Sequence, residues 1–414
     1  MPTPRRWKPV LVLAAVLVVV GLAAWKLRGS GPIHDGPMVQ LLDTDGFTLT
    51  WRMPTPADAE VVEVAVRREG TDDEMVFPAM PGDRFVACVT GLEPATLYDY
   101  QVRRHGVADP ATEPAVVLAE GRTRTAPGRG GLFRFVVTGD SGSGSKEQYG
   151  LGRLMHEHDP DLVIHVGDIV HPDGALKYYP AQFFRPYRDL LMRAALYPCV
   201  GNHDWDTNQG EAVFQVFELP DNGIEGRPDL ACYWFDFGDV RFVAMNSNVA
   251  FSEVEQYQKP WLDGVLRDAS DRWKVVFFHH PAYTARMHAS RGAFRHLIVP
   301  VMDEHGVDLV LVGHNHMYER SHPLRDGQIV EPGKGTIHLT AGAGGSSLRT
   351  FGSPQPDVIA ARDDTQYSIT VIDVEPARMV VQQVGLDRSV LDSFEIPRSS
   401  PTTQPPDQAL EVAP

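Results

Sequence analysis

Five short apolar runs, each ending in a carboxylate, an amide or a histidine, constrain this chain more than any other feature. The runs are Phe133–Thr138, Leu162–Val166, Tyr197–Val200, Lys274–Phe278 and Leu309–Val312. Each is too short for a buried helix and rich in β-branched or aromatic residues, so each reads as a buried strand. They end in Gly139-Asp140-Ser141-Gly142, Gly167-Asp168, Gly201-Asn202-His203-Asp204, His279 and Gly313-His314-Asn315-His316. Helical patterning lies between them, over Glu147–His158, Ala181–Ala195, Val254–Ala269 and Ala293–Glu304. Alternating strands and helices predict an α/β domain over residues 132–397. In open α/β sheets, ligands bind beyond the carboxyl ends of the strands, where all these polar residues fall. A glycine beside each of Asp140, Asp168, Asn202 and His314 is expected to let the backbone turn sharply where the polar group must point inward.

More β structure follows in this domain. Tyr233–Phe237 and Arg241–Met245 flank Gly238-Asp239 as a hairpin, and Thr336–Thr340, Tyr367–Val374 and Met379–Val384 read as further strands. Ahead of it, residues 39–125 alternate in the β manner, as in Phe47–Trp51, Val61–Val66 and Phe85–Val89. Ala126–Gly131 is a breaker-rich linker between the two domains. Residues 29–38 read as a Gly/Pro-rich linker, and the Pro/Thr/Ser-rich tail over 398–414 as disordered.

Residues 1–28 read as a targeting segment. Arg5, Arg6 and Lys8 precede an apolar run from Val10 to Trp25, and Lys26 and Arg28 follow. A secretory signal has an apolar region of about 7–15 residues and a spanning helix roughly 17–25, so the run lies between the two. No Ala-x-Ala site follows, which favours an uncleaved anchor over a cleaved signal. Either way the expectation is an exported protein whose remaining chain lies outside the cytoplasm and touches membrane only through this segment.

A formal net charge of −16 argues against nucleic acid or an anionic lipid surface as partner. An anionic substrate would then need local positive charge, which bound metal ions supply. The three cysteines, Cys88, Cys199 and Cys232, cannot all pair within one chain. A Cys199–Cys232 bond and two buried thiols remain alternatives.

The residue types at the strand ends suit one chemistry. Hydrolysis of a phosphate ester needs an activated water, neutralised phosphoryl oxygens and a proton for the leaving oxygen. Two metal ions about 3.5–4 Å apart supply the first two. They require a bridging carboxylate and oxygen or nitrogen ligands around it. Asp140, Asp168, Asn202, His279, His314 and His316 form such a set.

Asp-x-Gly at Asp140, Gly-Asp at Asp168, Gly-Asn-His-Asp at Asn202, Val-x-x-His at His279 and Gly-His-x-His at His314 stand in this order. Together they resemble the five signature blocks of the calcineurin-like metallophosphoesterase superfamily. The Asp-x-Gly form resembles the purple acid phosphatases in particular. So does the first domain, where Trp51 and Leu92-Glu93-Pro94-Ala95-Thr96-Leu97-Tyr98 resemble a fibronectin type III module with its tyrosine corner. The implied fold is a four-layer αββα catalytic sandwich preceded by an all-β sandwich that serves as spacer, wall or docking surface.

The resemblance also implies roles. Asp140 and His316 would bind one metal, Asp168 would bridge, and Asn202, His279 and His314 would bind the second, with iron, manganese or zinc as the ions. His203 would contact the substrate phosphate, and His288 would protonate the leaving group. His280 would support the ligands from behind. Purple acid phosphatases carry tyrosine at the fifth position of the second block; here His171 stands there, a nitrogen donor suited to a divalent ion. The wider superfamily has Asp-x-His in the first block, and Gly142 removes that donor, which strengthens the case for His171.

Several residues read both ways. Asp204 either orients a ligand or starts a helix. Gly342–Gly345 either cradles phosphate or forms a tight loop. Tyr178-Tyr179 either packs or walls the substrate. His156, His158, His165, His296, His305, His322 and His338 read as structural. The expected activity is hydrolysis of small phosphate monoesters. The alternatives are diester or pyrophosphate hydrolysis by the same centre, or a non-catalytic surface module with a vestigial metal site.

Overall fold

The computed structural model describes residues 33–54, 61–106, 115–285, 292–352 and 354–398. The targeting segment, the segment that carries His288 and the tail beyond Arg398 lie outside the described residues. Among the described residues no helix is long and apolar enough to cross a membrane.

Among the described residues, the first region is a β-sandwich of seven strands: β1 (Asp35–Gln40), β2 (Phe47–Arg52), β3 (Val61–Arg68), β4 (Glu74–Pro78), β5 (Phe85–Val89), β6 (Leu97–His105) and β7 (Val116–Arg124). One sheet has the order β1-β2-β5 and the other β4-β3-β6-β7, all antiparallel. Trp51 is buried between them and stacks on Phe85 with ring centroids 5.6 Å apart. The hydroxyl of Tyr98, near the start of β6, accepts the Glu93 amide at 3.0 Å, which is the tyrosine corner the sequence predicts. Tyr98→Phe is expected to cost about 1 kcal/mol of stability, read as a shift in denaturation midpoint. Strand β1 begins at Asp35, inside the stretch expected to be linker. Pairing with β2 and burial of Met38 draw those residues into the sheet.

The second region holds two sheets face to face. The first runs β10-β9-β8-β20-β21-β22, built from β8 (Phe133–Thr138), β9 (Leu162–His165), β10 (Ala195–Pro198), β20 (Ser368–Val374), β21 (Arg378–Gly385) and β22 (Val390–Pro397). The second runs β11-β12-β13-β14-β18-β15-β19, built from β11 (Tyr233–Phe237), β12 (Val240–Ala244), β13 (Trp273–Phe277), β14 (Leu309–Val312), β15 (Tyr318–Ser321), β18 (Ile337–Ala341) and β19 (Ile359–Asp363). A short hairpin, β16 (Leu324–Arg325) and β17 (Gln328–Ile329), stands apart.

The continuous apolar runs follow from burial on both faces. Phe135, Val137, Leu162 and Ile164 face the core between the sheets, with Phe242, Val275, Phe277, Leu309 and Leu311 opposite. Their neighbours Val136 and Val163 face one helical layer with Leu151, Met155 and Leu191. Val243, Val276, Val310 and Val312 face the other with Leu262, Leu266 and Met302. This is the expected αββα architecture.

Three helical expectations change. Ala181–Ala195 is not one helix: a π-type turn over Pro180–Phe184 and a short helix Arg188–Leu191 flank Pro186, and Ala195 already starts β10. Proline lacks the amide a continuing helix requires. For the same reason π-type turns at Val254–Gln258 and Phe294–Ile298 precede Lys259–Arg267, with Pro260, and Val299–Glu304, with Pro300.

The sandwich docks on the edge of the first sheet. Tyr197 of β10 accepts the Leu42 amide at 3.0 Å, Tyr100 donates to the Met192 carbonyl at 2.8 Å, and Arg84 pairs with Glu218 at 2.5 Å. Cys199 and Cys232 are buried free thiols and no disulfide joins them.

Candidate metal centre

All the strand-end groups among the described residues converge at the carboxyl ends of β8, β9, β10, β13 and β14. Parallel register aligns those ends: Thr138 pairs with His165 and His165 with Pro198 in the first sheet, and Phe277 with Leu311 in the second.

The sharp turns fall on the ligand candidates themselves. Asp140, Asp168 and His314 have φ of +53°, +53° and +68°. That left-handed region is costly for side-chain-bearing residues and collects at functional sites. Of the neighbouring glycines, only Gly167 shares the positive φ, at +89°. Crowding requires the others. A Cβ on Gly201 would lie 2.1 Å from the Asp168 amide nitrogen, and one on Gly313 would lie 2.6 Å from Asp140 Oδ2. The glycines therefore let the ligand-bearing turns approach each other rather than turn.

Two triads each bring ligand atoms within 4.8 Å of one another, Asp168–His171–His316 and Asp140–Asp168–His279. Asp168 belongs to both. His316 Nε2 stands 3.4 Å from Asp140 Oδ1, and His171 Nε2 stands 3.9 Å from Asp168 Oδ2. On the other side, Asn202 Oδ1 lies 3.0 Å from His279 Nε2 and 2.9 Å from His314 Nδ1. Asn202 opens the helix Asn202–Asp206, directly after Gly201, and its side chain meets the two histidines from there.

Four histidines are oriented alike. Nδ1–H of His279 donates to Val166 O (2.9 Å), that of His316 to Ser347 O (2.8 Å), that of His171 to Gly142 O (3.0 Å) and that of His203 to Pro172 O (2.5 Å). Each carbonyl fixes the tautomer and leaves Nε2 facing the centre. His203 Nε2 lies 4.0 Å from Asp168 Oδ2 and its ring is partly exposed, at the open side of the cluster. The His203 amide also donates to Asp168 Oδ1 at 2.9 Å.

The electrostatics are those of a cation site. Asp140 Oδ1 and His171 Nε2 are buried and have no hydrogen-bond partner among the described residues. Burial, with Asp168 beside it, raises the Asp140 pKa well above the carboxylate range. Burial pushes His314 down to about 3 and His316 down to about 4, so both rings are neutral and offer lone pairs. Burial opposes charge on His279 too, but Asp168 overcomes it and lifts His279 to about 9. A metal ion between them would take that proton's place. The donors are all oxygen and nitrogen, which fits iron, manganese or zinc.

Supporting residues complete the cluster. Buried Asp204 accepts the amides of Gly201 and Ile169, each at 2.9 Å, and so ties the Asp168 and Asn202 turns together. His280 bonds Ser247 Oγ at 2.9 Å while its ring packs on His314, 4.5 Å between centroids. The Gly342–Gly345 loop is the tight-loop alternative, not a phosphate cradle. The amides of Gly342, Gly344 and Ser346 donate to Met317, Gly139 and Asp140 carbonyls. Tyr179 is fully buried in the helical-layer core.

Some of the site carried no readable signal. The carbonyls that set the histidine tautomers are contributed by backbone. Glu319 is buried and accepts Thr284 Oγ1 (2.6 Å) and the Ala285 amide (2.8 Å), while Asn315 donates to the same Thr284 hydroxyl (2.8 Å) between two candidate ligands. Arg349 went unread because its loop joins the centre only in the fold.

Residues 133–318 match the family model of the calcineurin-like phosphoesterases. The match and the fold support a calcineurin-like metallophosphoesterase domain over this part of the chain. Within it the chain resembles the purple acid phosphatases. A purple acid phosphatase of yellow lupin (Lupinus luteus) seeds superposes with a TM-score of 0.75 at 18% identity, covering 88% of this chain and 74% of that one. An uncharacterized protein of Mycobacterium tuberculosis is 28% identical over 343 residues, 68% of this chain. The match spans 63% of that relative's length. A nucleotide pyrophosphatase/phosphodiesterase of barley (Hordeum vulgare) is 28% identical over 354 residues, 70% of this chain and 90% of the relative.

Proposed function

We propose that the centre binds two metal ions and hydrolyses phosphate esters, with small monoesters as the leading substrates. One observation carries this reading: Asp168 is common to both triads, so one carboxylate can serve two ions. Asp140, His316 and His171 would complete one shell, and Asn202, His279 and His314 the other. When bound, such ions supply positive charge for the phosphoryl oxygens and lower the pKa of the attacking water. His203, its Nδ1 held by Pro172 O, presents Nε2 at the open side as a hydrogen-bond donor to the phosphate. His288 is proposed to protonate the leaving oxygen. The barley relative's name supports a second reading, in which the same centre cleaves diesters or pyrophosphates. The segment 1–28 is proposed to export or anchor the protein, with the catalytic domain outside the cytoplasm.

The test is turnover of p-nitrophenyl phosphate and bis-p-nitrophenyl phosphate, with metal content measured on the same sample. Monoester turnover with about two metals per chain supports the phosphatase. Preference for the diester moves the reading to phosphodiesterase. No metal and no turnover after reconstitution with Mn²⁺, Fe²⁺ and Zn²⁺ leaves the binding module.

A nitrogen donor at His171 gives no tyrosinate-to-iron charge transfer. The iron-loaded protein is therefore expected to be colourless. A visible charge-transfer band in the absorption spectrum would remove His171 from the ligand set.

A further inference from the structure

The protein is strongly acidic, yet one arginine beside the centre is unspent. Arg84, Arg103, Arg134, Arg227, Arg241 and Arg320 are each paired with a carboxylate. Arg349 is exposed, and its guanidinium pairs with no carboxylate among the described residues. Its backbone is fixed nonetheless. The Arg349 amide donates to the His316 carbonyl at 3.1 Å, and Ser347, two residues earlier, accepts Nδ1–H of His316 at 2.8 Å. Ser346 donates its amide to the Asp140 carbonyl at 2.9 Å, and its hydroxyl oxygen lies 3.3 Å from His171 Nδ1. The segment that carries Arg349 is thus fastened to three candidate ligands of one ion. The amides of Gly342, Gly344 and Ser346 are spent on carbonyls, so this loop meets an anion through a side chain.

We infer that Arg349 binds the non-reacting phosphoryl group when the substrate is a diphosphate, and so selects for the pyrophosphate reading of this centre. The inference rests on the phosphoesterase reading. Two ions and His203 already match one phosphoryl group. An exposed arginine whose backbone is tied to His316 can reach a second anionic group on the same molecule and hold it by a charge-assisted, two-pronged contact. In hydrolysis of such an anhydride the water oxygen bonds to the terminal phosphorus, and the bond from that phosphorus to the bridging oxygen breaks. The electron pair stays on the bridging oxygen, whose phosphate gains a negative charge, and the water proton passes to solvent. Arg349 would then contact the group on which that charge grows.

The test compares inorganic pyrophosphate with p-nitrophenyl phosphate on metal-loaded full chain, its Arg349→Ala variant and its Arg349→Lys variant. Arg349→Ala is expected to lower kcat/KM for pyrophosphate about 10- to 100-fold, mostly through KM, and that for p-nitrophenyl phosphate about threefold. Arg349→Lys restores part of the loss on pyrophosphate. Calorimetry with methylene diphosphonate and orthophosphate is expected to show the same contrast in affinity without turnover. Equal losses on both substrates, no loss on either, or a parent chain that turns over the monoester alone would overturn the assignment. If the parent turns over neither substrate, the phosphoesterase reading falls, and calorimetry alone still decides whether Arg349 selects the diphosphonate.

Discussion

Asp168→Asn is expected to reduce turnover on the order of a thousandfold or more and to lower metal content below two ions per chain. The carboxylate presents two anionic oxygens to two shells, and it alone belongs to both triads. An amide offers one neutral oxygen. Its nitrogen would face either the His203 amide, which now donates to Oδ1 at 2.9 Å, or His279 Nε2, 3.4 Å from Oδ2. Both the charge and one shell are lost together. The comparison requires kcat and metal analysis on the same preparation. Full metal content with undiminished turnover would show that the shared position does not bridge, and the dinuclear reading would fail. A parent whose biological effect survives this substitution would favour the binding module.

Gly201→Ala tests the other structural claim, that the centre exists because two turns come closer than side chains allow. The new methyl carbon would lie 2.1 Å from the Asp168 amide nitrogen and 2.2 Å from Oδ1. Backbone on one side and a candidate bridging ligand on the other leave no flexible group to yield. Overpacking of this kind costs about 1–3 kcal/mol. Displacing Asp168 or Asn202 by about 1 Å would lower turnover about a hundredfold. Denaturant titration and kinetics measure the two effects separately. An alanine variant with parent stability and parent turnover would mean that the turns are not held together as described. Asp204 adds to the same junction by accepting the Gly201 and Ile169 amides.

The sequence was most readable where burial is two-sided. β8 and β14 occupy the residues expected, β9 and β13 differ by one residue at their ends, and β10 lies two residues earlier, because a strand covered on both faces must be apolar throughout and its limits are set by pairing. The helical stretches were less readable, since prolines at 186, 260 and 300 break a hydrogen-bond ladder that apolar periodicity does not report. Asp140, Asp168, Asn202, His279, His314 and His316 were legible because each follows a strand, and strands in a parallel register end together. His171 and His203 stood in the same motifs, and the structure places both rings beside Asp168, 4.3 Å apart between centroids. The role of the glycines was misread. Glycine suits both a positive φ and a close approach, and only coordinates separate the two.

By itself, then, the sequence determined the class of fold, the presence of a β-sandwich ahead of the α/β domain and the supply of oxygen and nitrogen ligands, because periodicity and residue type are local properties. The tertiary structure decided what depends on residues distant along the chain. It placed Asp168 in two triads, turned four imidazoles by means of backbone carbonyls, and brought the loop of Arg349 against His316. Those relations arise when sheets pack and loops close, so no window of sequence contains them.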